Sequence, residues 1–177
     1  VVLIRQAEQA DIHQLVDLGK RTFYDAFAAD NDPADMAEYL AHTFSYETLE
    51  EQLAEPDSTF LLADVAAPPG PQSVGYAHLI ANSPPPHRKT GKSIQLSRLY
   101  VEQCETGKGY GAQLMKACLE YSANNGFDKL WLGVWEKNFR ALKFYQRWGF
   151  QTIGTQAFIL GKDVQTDYVL IRSVTPV

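Results

Sequence analysis

Thr106-Gly107-Lys108-Gly109-Tyr110-Gly111-Ala112 lies between an apolar run that reads as a strand, residues 94–101, and a periodic run that reads as a helix, residues 110–125. Glycines let a backbone approach a ligand closely, and the free N–H groups that open a helix attract phosphate. Three anion-binding readings compete with a plain flexible connection. A nucleotide P-loop requires Gly-Lys-Ser/Thr after four spacers, and that is missing. A dinucleotide fingerprint fits better, as Gly107-x-Gly109-x-x-Ala112, with Glu136 about 25 residues on for a ribose. Against it, residues 102–106 separate the strand from the first glycine, and little chain remains to complete such a sheet. The third reading is a cradle for the pyrophosphate of coenzyme A.

Outward from the loop, the patterning divides the chain. Residues 2–5 read as a strand. Asp11 is the expected cap of a helix with Ile12, Leu15, Gly19, Phe23 and Phe27 on one face. Asp32-Pro33 opens a second helix and Ser45 a third, which Pro56 ends. Strands over 59–66 and 74–81 flank the turn Pro68-Pro69-Gly70-Pro71. The polar, proline-rich stretch 83–93 is a loop. After the 110–125 helix and its Gly126 stop come a strand over 129–135, a helix opened by Asn138 and stopped by Gly149, and strands over 155–160 and 167–173. The expectation is an α/β (α+β) fold in one domain, residues 1–177: a mixed seven-stranded sheet flanked by helices.

A second motif makes the loop more specific. Asn138-x-x-Ala141-x-x-Phe144-Tyr145-x-x-x-Gly149-Phe150 accompanies it at a separation that resembles the GNAT N-acetyltransferase superfamily. The loop itself is similar to the GNAT pattern Gln/Arg-x-x-Gly-x-Gly/Ala, with Thr106 where Gln or Arg is usual. The run 131–138 (WLGVWEKN), the stretch Phe23 to Leu40 and Gly161-x-x-x-Gln165-Thr166-Asp167 resemble the PaiA-type polyamine N-acetyltransferases.

The resemblance implies acetyl-coenzyme A as donor and a primary amine, with spermidine or spermine as candidates, as acceptor. It implies that Leu99, Tyr100 and Val101 with Asn138 hold the pantetheine. The amides of Thr106, Gly107, Lys108, Gly109, Tyr110, Gly111 and Ala112 hold the pyrophosphate, with Lys108 adding charge. Tyr145 is the expected general acid for the departing thiolate, and a backbone N–H near Leu99 the expected oxyanion donor. Asn138 as a mere helix cap and Tyr145 as a mere core aromatic are the plain alternatives. The general base is unassigned: Ser97 occupies the strand position where related enzymes place a Glu, and His78, Tyr100 and Glu136 are further candidates. Asp25, Asp30 and Asp32 read either as attractors of a polyamine or as helix-end charges. The likeness is compatible with a homodimer.

A net charge of −5 lacks the basic footprint of a nucleic-acid binder. No apolar run approaches the ~20 residues that span a bilayer. Residues 1–11 lack a signal-peptide layout, and two cysteines, Cys104 and Cys118, suit a reducing compartment, so a cytoplasmic location is expected. No metal-ligand spacing stands out. Two rivals from other classes stay open: a coenzyme A-binding regulator without turnover, and a small NAD(P)-dependent oxidoreductase.

Overall fold

The protein is described by a computed structural model covering residues 1–175. Its elements run β1 (Val2–Gln6), α1 (Ile12–Phe27), α2 (Pro33–Thr43), α3 (Tyr46–Ala54), β2 (Ser58–Val65), β3 (Gln72–Ala81), β4 (Ser93–Val101), α4 (Tyr110–Asn124), β5 (Lys129–Trp135), α5 (Phe139–Arg147), β6 (Gln151–Leu160) and β7 (Asp163–Ser173). The seven strands form one sheet in the order β1-β2-β3-β4-β5-β7-β6. All neighbours are antiparallel except β4 and β5. The expected mixed seven-stranded sheet is what the chain forms.

Local chemistry starts most of the helices. The Asp32 carboxylate accepts from the amides of Ala34 (2.9 Å) and Asp35 (3.1 Å), with Pro33 at the first helical position, where no N–H is needed. Ser45 Oγ accepts from Thr48 N at 3.1 Å. Asp11 departs from expectation. Its carboxylate accepts from Glu8 N (2.8 Å) and from Arg5, not from the first turn of α1. Arg5 bridges Asp11 and Asp64, which holds the Asp11 pKa below the ordinary range, and the ion pair outcompetes the cap.

Strands β6 and β7 begin four residues earlier than their apolar content indicates, joined by the two-residue turn Gly161-Lys162. β6 is an edge strand, exposed along much of its length, so its first half carries little hydrophobic signal. It is held instead by pairing with β7 from Gln151 to Leu160.

A small hydrophobic cluster gathers Trp131, Val169 and Ile171, and the two larger ones lie on opposite faces of the sheet. One packs α4 and α5 onto it through Leu96, Leu114, Met115, Cys118, Leu130, Leu132 and Tyr145. The other packs α1–α3 onto the reverse face through Ile12, Leu15, Leu18, Phe23, Phe44, Leu62 and Tyr76. The two helical layers stand on either side of the sheet where β4 and β5 part.

Candidate active site

That opening lies between the parallel strands. β4 pairs with β5 only through Ser93, Ile94 and Gln95, opposite Lys129, Leu130 and Trp131. Beyond Gln95 the strands diverge, although β4 stays paired with β3 as far as Val101. The six residues from Leu96 to Val101 therefore have no β5 partner, and their backbone polar groups on that side are available to a ligand. A β-bulge marks the divergence: His78 opposes Arg98 and Leu79 opposes Leu96, which leaves Ser97 without a partner on β3.

The gap widens into a cleft of about 960 Å³. One end is walled by β4, the glycine loop and α5. The other is walled by α1, α2, β6 and β7. Leu99, Tyr100, Val101, Thr106, Gly107, Gly109, Tyr110, Gly111, Ala112, Asn138 and Tyr145 all line it. Residues far apart in sequence thus meet around one space.

Lys108 is placed differently. It is outside the cleft wall, and its ammonium bonds Glu105 at 2.8 Å, an exposed pair that raises the lysine pKa. The cations on the wall are instead Arg140, Lys143 and Arg147 of α5, with Arg98 of β4. The three on α5 recur at i, i+3 and i+7, a single-face spacing visible in the sequence and not singled out there.

The glycine loop has its form for a backbone reason. Gly109, the N-cap of α4, has φ +85°, a left-handed conformation that a Cβ disfavours. The first helical bond, Gln113 N to Gly109 O (3.1 Å), leaves the amides of Tyr110, Gly111 and Ala112 without helical acceptors. Thr106 gives its hydroxyl to Gln103 O at 2.8 Å, fastening the turn before the loop.

Asn138 Oδ1 accepts from Ala141 N at 3.2 Å and so caps α5, which leaves its Nδ2 for other partners. Tyr145 is buried on α5, edge-on to Phe144 and Phe150. Burial pushes its phenol pKa well up, with nearby Cys118 adding to the effect, so the hydroxyl is protonated at neutral pH.

Three of the proposed bases lose ground on placement. His78 is stacked on Phe60 (3.9 Å between centroids), holds Ser58 Oγ at 2.7 Å, and is absent from the cleft wall. Burial, with Arg98 adding to it, lowers its pKa to about 3. Glu136 is also absent from the wall. Tyr100 does line the cleft, but burial drives its pKa well above 10, so it carries its proton. Of the acidic groups, Asp25 lines the cleft, Asp32 is the cap of α2, and Asp30 lies outside the wall.

One residue on the wall was missed as a candidate. Asp167 is only 7% exposed, lines the end of the cleft walled by α1, α2, β6 and β7, and has its pKa raised to about 6 by burial, against a lowering by the nearby Gln156 side chain. The sequence signal was its membership of the Gln165-Thr166-Asp167 run.

The sheet is not a doubly wound parallel one, so the glycine loop has no dinucleotide-binding scaffold around it. The model of the acetyltransferase (GNAT) family matches residues 15–150. The chain belongs to the GNAT acetyltransferase family. It is 30% identical to an uncharacterized N-acetyltransferase of Lactobacillus delbrueckii subsp. lactis over 173 residues, 98% of each chain. It is 32% identical to the spermine/spermidine N(1)-acetyltransferase of Bacillus subtilis over 71 residues, 40% of this chain and 46% of that one. Among solved structures it superimposes on the PaiA N-acetyltransferase of Thermoplasma acidophilum in complex with coenzyme A, with a TM-score of 0.79 at 19% identity, covering 98% of this chain and 99% of that one. The protein is therefore a GNAT-family N-acetyltransferase, and the regulator and oxidoreductase readings are not favoured. No described helix is long and apolar enough to cross a membrane.

Proposed function

We propose that this N-acetyltransferase moves the acetyl group of acetyl-coenzyme A to a primary amine of a polyamine, by direct attack in the β4–β5 gap. The observation that carries it is the convergence of the unpaired edge of β4, the glycine loop and Tyr145 on one cleft. In this reading the whole chain is one catalytic domain.

The edge from Leu99 to Val101, with Asn138 Nδ2, holds the pantetheine as an added strand would be held. The amides of residues 107–112 receive the pyrophosphate at the N-terminus of α4. Arg140, Lys143 and Arg147 add the positive charge that Lys108, turned to Glu105, does not direct there. The N–H of Leu99 steadies the oxyanion, a contact worth about 3 kcal/mol in other enzymes. Tyr145, kept protonated by its burial, gives its proton to the departing sulfur.

The polyamine acceptor is supported by the partial likeness to the Bacillus enzyme and by the net charge of −5, which favours a cationic partner.

The test is thiol release from acetyl-coenzyme A across spermidine, spermine, aminoglycosides, amino acids and peptides. Amine-dependent release with the highest kcat/KM for spermidine or spermine is expected. Release with no amine of the panel would refute acetyl transfer to an amine; preference for another class would refute the polyamine.

A further inference from the structure

Asp167 is a carboxylate buried to 7% exposure, and no salt bridge among the described residues includes it. Such a group is costly to fold around, since burial penalises its charged form with no cation in compensation. A residue of this kind on the wall of a cleft is a candidate for chemistry.

The register sets its neighbours. Asp167 on β7 pairs with Trp135 on β5 and with Gln156 on β6, so the three side chains form a row across the sheet on the α1–α2 face. The next position of that face along β5 is Gly133, two residues past the last β4–β5 pair. A Cβ on Gly133 would stand 3.2 Å from Asp167 Oδ2 and would overlap Gln156 Nε2. The missing side chain is what leaves the carboxylate facing the gap in which the acetyl group is transferred.

Aromatic rings enclose the same end of the cleft. Phe27 lies edge-on to Trp135 (6.1 Å) and Tyr100 (6.3 Å), and Tyr39 meets Phe158 at 5.7 Å. Lys137 Nζ already sits 5.9 Å from the Trp135 ring. Rings with a carboxylate among them suit an organic ammonium, through cation–π attraction and charge.

We infer that Asp167 is the base for the acceptor, taking a proton from the reacting ammonium while Gln156 orients the carboxylate. This rests on the amine acetyltransferase reading above. The ammonium gives one proton to Asp167 and becomes an amine. Its lone pair forms the N–C bond to the thioester carbonyl, and the C–S bond breaks as the tetrahedral adduct collapses. Tyr145 protonates the sulfur and is replenished by the second proton lost from nitrogen, by way of solvent. Asp167 returns its proton to solvent, so ammonium and thioester give amide, thiol and one proton.

Burial strengthens the carboxylate as a base while leaving it mostly ionised at neutral pH. The other charged groups on the cleft wall are Asp25 of α1, Arg98 of β4, Glu105 ahead of the glycine loop, and the α5 cations; Lys137 lies over the Trp135 ring, and Tyr39 of α2 is the phenol that feels the Asp167 charge. Arg98 is occupied with Gln52 (3.2 Å) and the Phe44 ring (5.0 Å).

The experiment compares wild type and Asp167→Asn with two acceptors: spermidine, and a trifluoroethylamine-type amine that is already neutral at pH 7. For spermidine, kcat/KM of the variant is expected to fall about 100-fold or more, with acetyl-coenzyme A affinity by calorimetry unchanged. For the neutral amine the two proteins should agree within about threefold. Equal losses with both amines would mean a structural role and overturn the proposal, as would unchanged kcat/KM with spermidine. Should the variant not fold, the wild-type pH profile decides: kcat/KM should rise through a limb near pH 6, and its absence would overturn the base. Wild type that releases no thiol with any amine would overturn the acetyltransferase reading itself, and Asp167 with it.

Discussion

Gly133→Ala is a one-methyl test of the acceptor end. The new Cβ overlaps Gln156 Nε2 and lies 3.2 Å from Asp167 Oδ2. To regain ordinary contact distance the Gln156 amide must retreat by about 1 Å. It is the far end of a flexible side chain, so the backbone has no need to move. An alanine inside a strand also recovers roughly 0.5–1 kcal/mol of chain entropy relative to glycine. Stability should therefore hold, and the melting temperature should stay close to that of wild type. The loss falls on the site instead. Without Gln156 in place, Asp167 loses both its orientation and the neighbouring amide that holds its pKa down, while the burial that raises it persists. A misplacement of about 1 Å costs on the order of 100-fold in rate. We expect kcat/KM for the amine to fall by about that factor and the acidic limb of its pH profile to move above that of wild type. Acetyl-coenzyme A titration should be unchanged. Activity within about threefold of wild type with an unmoved limb would refute the placement of Gln156 and Asp167 in the reaction.

Tyr145→Phe keeps the ring packing against Phe144 and Phe150 and removes only the hydroxyl. Its kcat should fall about 100-fold or more with acetyl-coenzyme A affinity preserved; an unchanged kcat removes Tyr145 from the mechanism. Gly109→Val forces a β-branched residue to φ +85° at a cost of about 1–2 kcal/mol or more. Denaturation should register that cost, and calorimetry should show weakened acetyl-coenzyme A binding; normal affinity in the folded variant contradicts the cradle. Asp167→Asn should also show a stability effect of fixed sign. The folded-state pKa, near 6, lies above the unfolded value of about 3.9, so the native state binds more protons in that window and wild type loses stability as pH rises through it. The melting temperature of the variant relative to wild type should thus be higher at pH 8 than at pH 4; a pH-independent difference would show that Asp167 does not titrate as described.

Local signals in the sequence carried the elements whose chemistry is local. Asp32, Ser45 and Asn138 announce helix starts by their own side chains, and Gly109, Gly126 and Gly149 occur where the backbone takes positive φ. Asp11 shows the limit. The same residue type, in the same place before an apolar periodic run, was drawn off by Arg5 and by the strand that carries Asp64. Lys108 shows it again, since its charge is answered by Glu105 three residues away while its own side chain lies off the cleft wall. Arg140, Lys143 and Arg147 were legible as a helical stripe, but that stripe had no meaning until α5 was seen to form one wall of the opening.

The glycine loop and the Asn138–Tyr145 run, through their resemblance to the GNAT pattern, carried the expectation of the fold, because helix caps and backbone amides act within a few residues of where they are encoded. Only the tertiary structure showed the opening in the sheet and the groups that face it. The divergence of β4 from β5 after Gln95 depends on pairing across the sheet. The exposure of Asp167 to that gap depends on Trp135, Gln156 and Gly133, which three strands bring together by register. A carboxylate in an ordinary Gln-Thr-Asp run acquires its raised pKa and its place in the cleft from burial, and burial is a property of the assembled sheet and its helical layers rather than of any neighbour in the chain.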